Sequence, residues 1–193
     1  MPDTTKEAPT IRLFLAPINE PVNGGWYEIG TKPADAREDI RLAVDQVREQ
    51  TGSEELRISD AEGLPSSLIP TYGGVPTEKI VSFSQIAYEH GLPTARAFVE
   101  VLELLGVLGD DYLREDGWYE AFARSHAGVQ DSRTAWAEIR VTDGSRPLLG
   151  KVASERGIGY INLDRVRRNM EHDPHTTFVD ASDGVHLFYV EEI

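Results

Sequence analysis

Apolar residues recur along this chain with two different periods. Ile11, Leu13 and Leu15 alternate with Arg12, Phe14 and Ala16, which is the period of a strand. Asn23-Gly24-Gly25 reads as a turn, and Trp26, Tyr27 and Ile29 as a second short strand. Ala36, Ile40, Ala43, Val44 and Val47 then recur at helical spacing, predicting a helix over 34–50 that Thr51-Gly52 closes. Leu56 and Ile58 supply a third strand, so the first block reads β-β-α-β.

A loop over 61–76, rich in Gly and Pro, has the composition of an interdomain linker. Beyond it, Ser82 reads as the N-cap of a helix over 83–90 that Gly91 stops. Pro93 sits near the start of the next helix, which carries Phe98, Val101, Leu102 and Leu105 on one stripe and ends at Gly106. The remaining pattern predicts helices at 117–126, 132–141 and 162–170, then strands at 176–180 and 185–190. Ser182-Asp183-Gly184 between the strands is a hairpin turn signal. The division is a polar extension at 1–9, an α+β domain at 10–73, a helical middle domain at 74–109 and an α+β domain at 110–193. There is no internal repeat.

Charge changes this picture more than composition does. The chain of 193 residues holds 33 Asp and Glu against 19 Lys and Arg, a net charge of −14. That excess opposes binding to nucleic acid or anionic membrane, which carry the same sign. With 40% hydrophobic residues the chain can build cores. With no cysteine it has no disulfide, Cys-ligated metal or thiol nucleophile. The first nine residues lack the apolar run of a signal peptide, and no stretch is long and apolar enough to span a membrane. The expectation is a soluble cytoplasmic protein.

The acid is spread along the chain. Residues 1–73 hold 13 acids and 7 bases, residues 74–110 hold 5 and 2, and residues 111–193 hold 15 and 10. It is therefore not an appended acidic tail, the usual disordered arrangement. On the helix at 34–50, Asp35, Glu38, Asp39, Asp45 and Glu49 fall within an arc of roughly 120° at about 100° per residue. Arg37, Arg41 and Arg48 form a strip between that arc and the apolar one. The acids span about 21 Å along the axis, so the row can present charge much as a phosphate row does. Further acids lie at Glu54, Glu55, Asp60 and Glu62, and at Asp110, Asp111, Glu115, Asp116 and Glu120. Each cluster by itself is more often plain solvated surface.

Other chemistry is sparse. There is no G-x-x-x-x-G-K-[ST] or G-x-G-x-x-G phosphate loop, no G-x-S-x-G elbow and no H-E-x-x-H. His172-Asp173-Pro174-His175 lacks a further ligand set, and no metal or cofactor is expected. His90 and His126 read as helix C-terminal residues, suited to the helix dipole, and His186 as a packed or half-exposed strand residue. No pair of carboxylates stands out as acid and base, so no enzyme activity is expected. Trp118, Tyr119, Phe122 and Trp136 read as core, with a protein interface as the alternative.

Taken in order, several stretches resemble the antirestriction proteins of the ArdA type. They are Ile11-Arg12-Leu13-Phe14-Leu15-Ala16, Gly25-Trp26-Tyr27, and Ile58-Ser59-Asp60-Ala61-Glu62-Gly63. The helix after Ser82, Asp131-Ser132 with Trp136-Ala137, Tyr160-Ile161-Asn162-Leu163-Asp164 followed by Arg168, and Gly184-Val185-His186-Leu187-Phe188 continue the series. The resemblance implies an α+β fold, elongated, with three small domains in a row. It also implies a homodimer whose acidic surface mimics bent B-form DNA and occupies the DNA-binding groove of type I restriction–modification enzymes, at their methyltransferase core. Such proteins travel on plasmids, transposons and phages and act in a bacterial host. The chain departs from the pattern at Asn162 and Leu163, and in the arginine group Arg165, Arg167 and Arg168. The third block is expected to dimerise, with Trp118, Tyr119, Phe122, Trp136, Arg165 and Arg168 as interface candidates. Two alternatives remain open: a DNA mimic aimed at another defence complex or a nucleoid protein, and an acidic interaction module that is no mimic.

Overall fold

The computed structural model describes residues 10–70, 74–108 and 117–193. The chain is α+β and divides into two compact units, Met1–Phe122 and Ala123–Ile193, with the boundary inside one helix.

In the first unit, β1 (Ile11–Pro17) is the central strand, pairing antiparallel with β2 (Gly25–Ile29) and β3 (Leu56–Glu62). Ile11, Leu13 and Leu15 are buried on one sheet face. Helix α1 (Pro33–Thr51) covers that face with Ala36, Ile40, Ala43 and Val47. Pro33 starts the helix with its φ already set, and Gly52 ends it in the left-handed region at φ 68°. After β3, Leu64 and Leu68 are buried and tie the described part of the Gly- and Pro-rich stretch, up to residue 70, to the protein. Helix α2 (Thr77–His90) packs on α1 and on α3 (Leu92–Leu104), and α4 (Gly117–Ser125) follows.

Helix α2 begins five residues before the expected N-cap. Ser82 lies inside it, and both Ser82 and Ser84 are buried. Ile80, Val81, Phe83, Ile86 and Ala87 extend the apolar stripe back to Pro76, and Glu78 suits the positive end of the dipole.

In the second unit, β6 (Gly184–Tyr189) lies between β4 (His126–Gln130) and β5 (Thr176–Ala181), all antiparallel. Helices α5 (Arg133–Thr142) and α7 (Leu163–Glu171) pack on each other. Trp136, Ala137, Met170, Val185 and Leu187 form the core, and the Trp136 indole N–H donates to the Val185 carbonyl at 2.8 Å. Ser132 caps α5 through the Ala135 N–H, and Asn162 caps α7 through the Arg165 N–H.

Two elements differ from the expected pattern. His126 opens strand β4 and is not the end of a helix; the strand is only five residues long and contains Gly128 at φ 123°. Helix α6 (Pro147–Arg156) was not expected, and none of its residues is buried, so its amphipathic signal is weak.

Candidate functional site

The acid is unevenly divided between the units. Met1–Phe122 holds 22 acidic and 10 basic residues, a net of −12; Ala123–Ile193 holds 11 and 9, a net of −2. The candidate surface therefore belongs to the first unit.

On α1 the acidic arc is present but partly neutralised. Asp35, Glu38 and Glu49 are exposed, and Asp39 and Asp45 half-buried. Arg41 binds Glu38 with two hydrogen bonds, at 2.6 and 2.9 Å, and Asp45 with one at 2.9 Å. These N–H donors hold the Glu38 carboxyl below its usual range and raise Arg41 above its own. Arg41 lies three residues from Glu38 and four from Asp45, the two helical spacings at which side chains meet. The same arithmetic on the sequence finds this pairing. Asp39 turns inward and accepts the Gly30 backbone N–H at 2.8 Å.

The other acids divide in the same way. Glu54 lies 3.6 Å from Arg48, Glu62 binds Arg12 at 2.8 Å, and Glu78 forms a double contact with Arg37. Asp60 accepts the N–H of its neighbour Ala61. Among the described residues, Asp35, Glu49, Glu55 and Glu120 form no ion pair and are exposed. Asp110, Asp111, Glu115 and Asp116 lie outside the described residues.

The outward face of the first sheet adds a feature that charge counting misses. Phe14 and Trp26 are cross-strand partners and meet edge to face at 5.5 Å. The Arg12 guanidinium lies over the Trp26 ring at 5.2 Å, and Trp26 is 39% exposed. Glu28, Asp60 and Glu62 are exposed residues of the same sheet, so it carries an aromatic patch among carboxylates. The alternation of β1 and β2 in the sequence is the signal for it.

Of the two readings of the aromatic residues, core and interface, burial favours core. Trp118, Phe122 and Trp136 are buried in the chain's own interior. Phe98 meets both Trp118 and Phe122 edge to face, and Lys79 lies 5.8 Å from the Trp118 ring. Tyr119 is half-buried and donates its hydroxyl to Glu89 at 2.5 Å; that bond, with burial, raises its pKa. Arg165 and Arg168 are exposed and form no ion pair among the described residues. Arg167 pairs within the chain, with Glu171 at 2.7 Å and Asp164 at 3.8 Å.

A second polar cluster was not expected. His186, 0% exposed, contacts Asp183 Oδ1 through Nε2 at 2.9 Å and His126 Nε2 through Nδ1 at 3.1 Å. Phe188 lies beside both imidazoles, stacked with His186 and tilted against His126. One His pairs across β4 and β6 while the Asp sits in the hairpin turn, so the cluster satisfies a buried polar residue between strands. His175 pairs with Glu191 and not with His172. Among the described residues no group of three or more His, Asp or Glu could hold a metal ion, and no helix is long and apolar enough to cross a membrane. Comparison with protein-family models, with curated proteins and with solved structures gave no match to this chain.

Proposed function

We propose that this protein is an antirestriction factor whose surface carboxylates stand in for DNA phosphates in the DNA-binding groove of a type I restriction–modification enzyme. The supporting observation is that the described residues of the first unit hold 16 acids against 8 bases, a net of −8, with exposed carboxylates on a helix and a sheet. A basic groove selects for a rigid negative body, because carboxylates fixed on secondary structure lose little entropy when they replace phosphates. The ordered resemblance in sequence points the same way. The elongated three-domain arrangement and the homodimer belong to this proposal.

A plain acidic interaction module is the second reading. The Arg41 contacts to Glu38 and Asp45 favour it, because a paired carboxylate presents less charge to a partner.

One titration separates the two. The purified protein is added to a type I restriction enzyme with ATP and unmethylated target DNA, and cleavage and methyl transfer are followed together. Mimicry is supported by inhibition near one dimer per enzyme that excess DNA reverses and that weakens steeply with salt. Reversing charge at Asp35, Glu38, Asp45 and Glu49 then abolishes it. Inhibition that ignores salt and survives the reversal sinks the mimic reading, and no inhibition at large excess removes this target.

A further inference from the structure

The second unit carries a surface of opposite character to the first. None of the ten residues of α6 is buried, although the helix touches α5 and the turn at Ile158–Tyr160. Leu148 is 82% exposed and Tyr160 75%. A cavity of about 650 Å³ opens beside them, lined also by Leu149 and Val152 and, across from α6, by residues of α7. Clustered exposed apolar side chains of this kind mark a contact site more often than bare surface.

The charge at this groove is what selects its occupant. Among the described residues, its charged lining residues are Arg146 and Arg165, with no carboxylate. Residues 140–168 hold seven bases and three acids, in a chain whose net charge is −14. In the first unit, Arg12, Arg37, Arg41 and Arg48 are paired with carboxylates, while Arg57 and Arg96 form no ion pair among the described residues. Here Arg146, Arg165 and Arg168 form no ion pair among the described residues. Unpaired guanidiniums beside an apolar cleft match an occupant with both carboxylates and apolar anchors. A nucleic acid would supply the charge but no apolar anchor, and the chain's overall charge would repel a long polyanion.

We propose that the groove between α6 and α7 docks an acidic protein segment carrying apolar anchor residues. The α6 side supplies Leu148 and Leu149 as the apolar wall, and Arg146 and Arg165 receive the carboxylates. This rests on the second unit's own geometry and does not depend on the mimic reading of the first.

The test is panning of a random dodecapeptide display library on the full chain and on the variants Leu148→Asp and Arg165→Glu. Both side chains are exposed, so both variants should keep the wild-type circular dichroism spectrum. Wild type should enrich peptides with net negative charge and at least two apolar residues. A labelled peptide of that set should lose affinity about tenfold with either variant. Absence of enrichment, enrichment of neutral or basic peptides, or binding unchanged by the variants would overturn the proposal. So would a dimer in sedimentation that Leu148→Asp dissociates, which would put a second copy in the groove. A labelled 20-base-pair duplex that binds wild type and not Arg165→Glu would overturn it in favour of nucleic acid.

Discussion

The Asp39 carboxylate accepts the Gly30 backbone N–H at 2.8 Å, and so ties the end of β2 to the second turn of α1. The approach is close: a Cβ on residue 30 would stand 2.9 Å from the Asp35 Cβ and 3.1 Å from Asp39 Oδ2. An acid that reads as part of a surface row therefore holds the fold. Asp39→Ala should lower stability by about 1.5–3 kcal/mol, the range for a hydrogen bond to a charged group. Asp39→Asn, which keeps an acceptor oxygen, should lose less. Urea midpoints of the two variants check this, and equal losses would show that the bond is not the cause.

Arg41 makes the opposite case, a base that subtracts from the acidic face. Its contacts to Glu38 and Asp45 hold two of the five acids on the α1 arc. Under the mimic reading, Arg41→Gln frees both carboxylates for the basic groove. Inhibition of the restriction enzyme should tighten several-fold at low salt, with the gap closing as salt rises. Weaker inhibition by a folded Arg41→Gln would mean that the pairing itself orders the contact surface.

The strands and helices whose buried sets are periodic were legible in the sequence. Ile11, Leu13 and Leu15 mark β1, and Ala36, Ile40, Ala43 and Val47 mark α1. Helix α6 was illegible for a physical reason: its packed face is only the half-buried set Leu149, Val152 and Ala153, too short to imprint a clear period on the sequence. Strand β4 was masked by its length and by Gly128. The acidic residues were visible, but not which of them are free. That depends on side-chain partners such as Arg12–Glu62, which lie 50 residues apart and meet only through the β1–β3 register. For the tryptophans the sequence favours core but leaves interface open, because both call for the same residue. Burial assigns Trp118 and Trp136 to the core.

Gly184 opens β6 at φ 140°, where side chains are strained. A Cβ there would also meet the Gln130 carbonyl oxygen at 2.6 Å and Val129 Cγ2 at 2.8 Å, both on the neighbouring strand β4. Gly184→Ala should cost about 3 kcal/mol through backbone strain and displacement of the edge strand. Ser182→Ala in the same turn is exposed and should change stability by less than about 0.5 kcal/mol. Chemical denaturation of both variants checks the contrast. A Gly184→Ala protein as stable as wild type would show that β4 shifts without cost.

Glu171 should set part of the acid sensitivity of the second unit. Its carboxylate accepts from Arg167 at 2.7 Å and from Arg133 at 3.4 Å, and Arg133 also binds Asp180 at 2.7 Å. The group therefore joins α7, α5 and β5. Burial pushes its pKa up, but the two guanidinium donors outweigh that and leave it below the ordinary 4.5. A carboxyl with a lowered folded pKa binds fewer protons in the folded state than in the unfolded one. Stability then rises with pH between the two values. The contribution is complete above about pH 5 and is lost as the pH falls through the folded value. Glu171→Gln should cost about 1 kcal/mol at pH 7, discounted for partial exposure. The difference from wild type should shrink as the pH falls below about 4. Urea unfolding of both proteins from pH 7 to pH 3 measures that difference. A gap that stays constant across the range would show that the ion pairs of Glu171 do not couple to folding.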